Sequence, residues 1–164
     1  MVAAATVVLF AATAGADASI RSTRAASPAV DIEIAVDTTG SMAPSVARAK
    51  ALGDTLVAGV VGDLANARIA VVEFRDPGNP AGEYQLLQPM TADTQAVTAA
   101  IGKLATSQNP TPGNVAEESY NLAFHQSWAD TRMGWRDDSR KVVVVIGDAE
   151  PFGAGAAGLA GCRS

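Results

Sequence analysis

Cysteine is almost missing: one residue, Cys162, stands third from the end, so no disulfide can close within the chain. It reads as an incidental thiol in a loose tail, or else as a thiol whose partner lies in other sequence. Histidine is equally scarce. His125 has no Cys or His companion at metal-ligand spacing, which removes zinc sites and leaves a packing or surface residue. Charged residues make up only 18%, with no Lys/Arg cluster and a net charge of −5, so nucleic acid is excluded as a partner. A cation or a basic protein surface suits that balance better. No phosphate-cradling glycine loop and no nucleophile–base–orienter triad can be traced, which sets aside most enzyme chemistries. After the first 16 residues there is also no apolar run long enough to anchor the chain in a bilayer.

What is present is a chain of 164 residues, 48% of them hydrophobic, enough for one domain with a real core. Val2 to Ala16 is uncharged and rich in Ala, Val, Leu and Phe. Small-residue steps of the kind a signal peptidase accepts follow at Ala14-Gly15-Ala16 and Ala16-Asp17-Ala18. Residues 1–18 therefore read as an export signal, although the first basic residue, Arg21, comes after the apolar run; the alternative is a low-complexity leader. A secreted or cell-surface protein with no integral membrane segment in its mature form is the expectation. Residues 19–29 (SIRSTRAASPA) read as a linker, 30–151 as the folded domain, and 152–164 as a Gly/Ala-rich tail.

Within the domain, Ile32, Ile34 and Val36 mark a strand ending at Asp37. Pro44 suits the first turn of a helix, whose apolar face is expected from Val46, Ala49, Leu52, Leu56 and Val60. Arg68 to Phe74 is a second strand closed by a turn at Arg75 to Pro80, and Tyr84 to Leu87 a short third one. Thr91 to Leu104 follows as a helix with Val97, Ile101 and Leu104 on one side. A breaker-rich loop, 107–114, leads to a helix that Asn114 would cap with Glu117. That helix would turn Tyr120, Leu122, Ala123, Phe124 and Trp128 inward. Glu117 and Glu118 would place favourable charge in its first turn. Val142 to Ile146, five apolar residues in a row, reads as a central parallel strand covered on both faces. Strands alternating with amphipathic helices predict an α/β fold, a Rossmann-like open and mostly parallel sheet with helices on both faces.

Two phrases carry the chemistry: Asp37-Thr38-Thr39-Gly40-Ser41 and Gly147-Asp148-Ala149, each closing an apolar strand. Ligands of such sheets sit beyond the carboxyl ends of the strands, where strand order reverses. If those two strands are neighbours, Asp37 and Asp148 meet there with the hydroxyls of Thr39 and Ser41. The result is a hard-oxygen cluster suited to Mg²⁺ or Mn²⁺. Gly40 would let the backbone turn sharply beneath the ion. The plainer alternative is that Asp37 or Ser41 only caps the helix that starts near Ala43.

The Asp37, Thr39, Ser41 spacing resembles the D-x-[ST]-x-S pattern of von Willebrand factor type A domains. The likeness extends through Phe74-Arg75-Asp76, Trp135-Arg136 and Val142 to Pro151, covering roughly residues 31–151. It implies a metal-ion-dependent adhesion site, in which one coordination position stays open for a partner's Asp or Glu. No bond is made or broken there, so the chain is expected not to be an enzyme. The family pattern places a further Thr before the third helix. Here that place holds Gly113, with Thr111 or Asn114 as the alternative oxygen donors. The resemblance further implies at least one more strand and helix after the valine strand, so the domain reads as shortened, with its Val142–Ile146 edge uncovered and prone to aggregate.

Two other readings differ in class. Asp37 to Ser41 also resembles the Asp-x-Thr-Gly-Thr motif of haloacid dehalogenase-like phosphotransferases, which would make Asp37 a nucleophile beside Mg²⁺. The sequence argues against it: that pattern wants a carboxylate where Phe152 stands, and a lysine to steady the phosphoryl group is not evident between the motifs, although Lys103 and Lys141 exist. The other is an intracellular type A domain acting within an assembly.

Overall fold

Alternation along Val30–Asp37 sends Val30, Ile32, Ile34 and Val36 to one side and Asp31, Glu33 and Ala35 to the other. A computed structural model describes residues 28–64, 66–108 and 117–151, with the backbone alone at 63, 117, 118, 150 and 151. The export segment, most of the linker, the tail, Thr111 and Asn114 lie outside the described residues. In chain order the elements are β1 (Val30–Asp37), a 3₁₀ turn (Gly40–Met42), α1 (Ala43–Asp63), β2 (Ala67–Phe74), β3 (Tyr84–Thr91) and α2 (Thr94–Lys103). There follow β4 (Glu117–Glu118), α3 (Tyr120–Ala129), a second 3₁₀ turn (Thr131–Met133), β5 (Arg140–Ile146) and β6 (Glu150–Pro151).

The main sheet runs β3-β2-β1-β5. Both β2 and β5 are parallel to β1, and β3 is antiparallel to β2. This is the expected Rossmann-like α/β fold. Helices α1 and α2 cover one face, where Val46, Val57, Val97, Ala100, Ile101 and Leu104 pack on Ile32, Val36, Ile69 and Val71. Helix α3 covers the other, with Ala123 and Met133 against Ala35, Ala70, Val72 and Phe74. Pro89 sits within β3, which its place at a sheet edge allows. Among the described residues no helix is long and apolar enough to cross a membrane.

Several local expectations are corrected. Helix α2 starts at Thr94 rather than Thr91, because the Asp93 carboxylate accepts from the backbone N–H groups of Gln95 (2.9 Å) and Ala96 (3.3 Å). Helix α3 starts at Tyr120, so Asn114 and Glu117 do not form its capping box. Glu117 and Glu118 are instead extended and pair in parallel with Glu150 and Pro151. On α1 the inward positions include Val57, whereas Leu52 and Leu56 point outward. On α3, Phe124 is exposed and Trp128 is 79% exposed, so neither closes the core. Among the described residues the valine strand β5 is not central. It forms the edge of the described sheet, which leaves Val144 40% and Ile146 43% exposed.

The face of β1 toward α3 carries two buried acids with opposite treatment. Asp31 accepts from Arg68 Nε (3.0 Å) and Nη2 (2.8 Å), from Arg136 N, Nε and Nη2 (2.8, 3.0 and 2.7 Å), and from Ser139 Oγ (2.9 Å). Burial alone would raise this carboxyl. The two guanidiniums and the hydroxyl outweigh it and hold Asp31 well below the usual carboxylate range. Glu33, two residues on, is fully buried and neither of its oxygens meets a donor at hydrogen-bond geometry. Desolvation pushes its carboxyl up, the nearby Asp130 charge adds to that, and the Ser127 hydroxyl offsets part of it.

Linkage then gives two opposite pH slopes. Asp31, lowered in the fold, contributes stability above its unfolded value, and that contribution is lost as pH falls below about 3.8. Glu33, raised in the fold, contributes stability below its unfolded value, and this is lost as pH climbs from about 4.5 through the folded value. Glu33→Gln should flatten the upper slope in urea unfolding at a series of pH values; a slope unchanged in the variant would contradict the assignment. Arg136→Met, which removes one cation from the buried Asp31, should lower the unfolding free energy by about 3 kcal/mol. An equally stable variant would show that Arg68 and Ser139 suffice.

Candidate metal centre

Strand order reverses between β1 and β5: the chain leaves β1 toward β2 and β3, then returns to the opposite side. Both strands point the same way, with Val36 beside Ile146, so their carboxyl ends lie side by side. The structure thus brings the two sequence phrases together at the crevice where such sheets take ligands.

Asp37 closes β1, opposite Phe74 of β2, and is fully buried. Its Oδ1 accepts from the backbone N–H of Thr39 at 2.7 Å, an Asx turn that folds the chain back over the strand end. The Thr38 N–H extends the ladder to the Phe74 carbonyl at 3.0 Å. Beyond the turn, Thr39 Oγ1 and Ser41 Oγ share a hydrogen bond at 3.3 Å. Ser41 Oγ donates to Asp148 Oδ1 at 3.2 Å. Two hydroxyls and two carboxylates from positions 37 to 148 therefore form one connected group. Asp148 itself is exposed.

The capping alternative finds no support in the local geometry. Neither the Gly40–Met42 turn nor α1 has a side-chain cap hydrogen bond, and α1 begins with Pro44 in its first turn. The chain does turn sharply at Gly40, which opens the 3₁₀ turn, but not through a left-handed backbone. Positive φ occurs at Gly78, Gly82 and Gly134 but not at Gly40. Its lack of a side chain serves a close approach instead, since a Cβ there would lie 2.5 Å from Gln108 Nε2.

Gln108 is held in place from below. Ser107 N–H donates to the Thr38 carbonyl at 2.9 Å and bridges Thr39. The stretch before it is clamped by a buried ion pair, Arg75 Nη2 to Glu73 Oε1 at 2.6 Å. Arg75 Nη2 also donates to the Ala105 carbonyl at 2.8 Å, and Ala105 N–H donates to Glu73 Oε2 at 3.1 Å. Arg75 entered the sequence reading as the first residue of a turn and as part of a resemblance. An arginine directly after an apolar strand was the signal for a clamp.

The Asp148 turn has its own support. Tyr120, at the start of α3, donates from its hydroxyl to the Ala149 carbonyl at 2.9 Å and stacks edge-on against Phe74 with centroids 5.7 Å apart. Its ring crosses directly over Gly147, where any Cβ would collide with it. Tyr120 was read from sequence as core only. The glycine just before Asp148 was the available sign of a close neighbour.

The donor set decides which ions fit. Among the described residues no three His, Cys, Asp or Glu side chains gather as a metal cage. The site offers two carboxylates and two uncharged hydroxyls, hard oxygens that suit Mg²⁺ or Mn²⁺ rather than zinc. Octahedral Mg²⁺, with ligands at about 2.0–2.1 Å, sets neighbouring oxygens about 3 Å apart. The observed 3.3 and 3.2 Å separations approach that edge length, so the oxygens of Thr39, Ser41 and Asp148 are spaced to fit such an ion.

A family model, von Willebrand factor type A domain, matches residues 32–150. The chain belongs to that family. No curated protein sequence gives a significant match. Among solved structures, this type A domain is similar to the vWF domain of the type V pili tip protein Mfa5 from Porphyromonas gingivalis, at TM-score 0.53 and 18% identity. That match covers 76% of this chain and 39% of the other. It is also similar to proximal thread matrix protein 1 from the mussel byssus, at TM-score 0.53 and 16% identity, over 80% of this chain and 33% of that one. A third likeness is to the SpRpn10 VWA domain, at TM-score 0.50 and 12% identity, over 74% and 61%. The chain therefore spans about two fifths of the pilus-tip structure and a third of the byssal one. At these identities the likeness is one of fold.

If Tyr120 holds the Asp148 turn in this type A domain, Tyr120→Phe should loosen it while keeping the ring on Gly147 and Phe74. Amide exchange at 147–149 should quicken by roughly fivefold, about 1 kcal/mol for the lost hydrogen bond. Unchanged exchange would show that ring packing alone fixes the turn.

Proposed function

We propose that this chain is a divalent-cation-dependent protein-binding module of the adhesion type, working outside the cell. Asp37, Thr39, Ser41 and Asp148 would hold Mg²⁺ or Mn²⁺, with Thr111 or Asn114 as a further oxygen donor. The observation that carries this reading is the hydrogen-bonded series Thr39–Ser41–Asp148 across the ends of β1 and β5, with Asp37 beneath it. When bound, the cation supplies a Lewis-acidic position that an Asp or Glu carboxylate of a partner protein can fill.

The chain's own residues divide the work. Asp37, buried and fixed by the Thr39 N–H, presents a pre-set carboxylate that needs no rearrangement to bind. Thr39 and Ser41 add oxygens without adding charge. Asp148, exposed at the rim, leaves room for an incoming group beside it. A non-enzymatic role agrees with this layout. Lys141, one of two lysines that a phosphotransferase reading could use, sits on the order of 20 Å down β5 from Asp148. There it donates to the Arg136 carbonyl at 2.7 Å. Extracellular placement draws on the leader-like first 18 residues and on the pilus-tip and byssal neighbours, which come from structures outside cells.

Titration calorimetry tests this directly. Wild type should bind Mg²⁺ and Mn²⁺ at one saturable site, and Asp37→Ala or Asp148→Ala should weaken binding by about tenfold or more, roughly 1.4 kcal/mol. Equal affinity in both variants would remove the proposed centre.

A further inference from the structure

Beneath α3 the fold encloses an acid without providing for its charge. Glu33 of β1 is fully buried, its cross-strand neighbours Ala70 and Val143 are apolar, and both its carboxyl oxygens lack a hydrogen-bond partner. The Tyr84 hydroxyl of β3, close by, is likewise buried and unpartnered. Ser127 of α3 is buried too, but its hydroxyl donates to the Ala123 carbonyl at 2.9 Å. It can serve an ionised Glu33 only by giving up that bond. The second 3₁₀ turn adds a negative group, Asp130, already held by Arg132 at 2.8 and 2.7 Å. Further along this face Arg68 and Arg136 are engaged with Asp31, and Lys141 of β5 with the Arg136 carbonyl; His125 of α3 is exposed.

An ionised carboxylate can accept about four hydrogen bonds. Of the neighbours Ser127, Tyr84 and Asp130, only Tyr84 has an uncommitted proton. A charged Glu33 therefore needs water, and water needs room under α3. That helix is lightly held. Its buried side chains, Ala123 and Ser127, are both small, and no side-chain hydrogen bond caps its start. Its two ends do different work. Over Glu33, the Ser127 carbonyl accepts from Trp135 Nε1 at 2.8 Å. Seven residues earlier, about 10 Å along the helix, Tyr120 donates to the Ala149 carbonyl beside Asp148.

We propose that Glu33 and α3 form a proton-operated latch on the Asp148 turn. With Glu33 neutral the helix stays seated. When Glu33 releases its proton to solvent, water enters under Ser127, α3 lifts, and Tyr120 lets the turn go. Burial and the Asp130 charge push the Glu33 carboxyl up, so the seated form belongs to the acid side. Seating is lost as pH climbs from about 4.5 through the raised folded value. As a control on cation binding the latch rests on the function proposed above; as a movement of the fold it does not.

The test is run on the full chain in EDTA, so that its outcome is separate from that of cation binding. Amide hydrogen exchange is followed from about pH 5 to about pH 8 and corrected for the intrinsic rate at each pH. Opening of 120–129 and of 147–149 should rise together by about tenfold, within the span of coupling between linked sites, while β1 and β2 stay the more protected. Glu33→Gln and Glu33→Met should each hold both segments at one level across the range. Tyr120→Phe should keep the pH dependence within α3 and remove it at 147–149. Circular dichroism on each variant confirms that it is folded. Exchange independent of pH in the wild type, pH dependence that survives in a folded Glu33 variant, or α3 opening that leaves 147–149 unmoved would each overturn the inference.

Discussion

One buried carboxylate sets the register on which the rest depends. Asp31 near the start of β1 is bound by Arg68 of β2 and by Arg136 and Ser139 from the segment entering β5. Three adjacent strands are thereby fixed against one another at their amino ends. A parallel strand that slipped by one residue would reverse every side chain and break all of these bonds together. Six residues later the same strand delivers Asp37 to the opposite rim, level with the end of β5. The meeting of the Asp37–Ser41 turn and Asp148 is thus decided at the far end of the sheet by an ion cluster remote from the site.

That cluster also explains the contrast with Glu33. Two cations and a hydroxyl compensate Asp31 for its lost water, so it stays ionised. Glu33 lies in the next inward position on the same face, near Ser127, Tyr84 and Asp130. Tyr84 is itself half-buried, and desolvation with the Glu33 and Asp130 charges pushes its hydroxyl up. Burial there disfavours the charged carboxyl. The central strand therefore holds one acid whose carboxyl is held down by cations and locks register, and another whose carboxyl is pushed up by burial.

Much of this was legible in the chain because strand ends are marked by local chemistry. Apolar runs closing on Asp37 and Asp148 marked both halves of the site, while the β1–β5 adjacency that unites them stood as a condition in the sequence and is supplied by the strand order of the fold. What could not be read depends on partners remote in sequence. Glu117 looks like a capping residue, but its backbone is taken by a parallel pair with Glu150, which no local pattern announces. Four consecutive valines suggest a strand buried on both sides, since periodicity registers side chains and not whether a neighbour exists on each edge. Phe124 and Trp128 look like core for the same reason. Tyr120 and Arg75 were hidden because their work is done through backbone carbonyls, and carbonyls leave no trace in a sequence.

The economy of charge at the rim ties the proposed site to its proposed use. A dication held by two carboxylates is balanced, and Thr39 and Ser41 add oxygens without tipping it negative. A third acid in the cage would bind the ion more tightly, yet would repel an incoming carboxylate by several kcal/mol at a contact of about 4 Å in partly desolvated surroundings. A donor set short of one acid is therefore a poorer chelator and a better receptor. The rim residue Asp148 is exposed, so the proposed site would keep one acid of the ion's surroundings within reach of a partner.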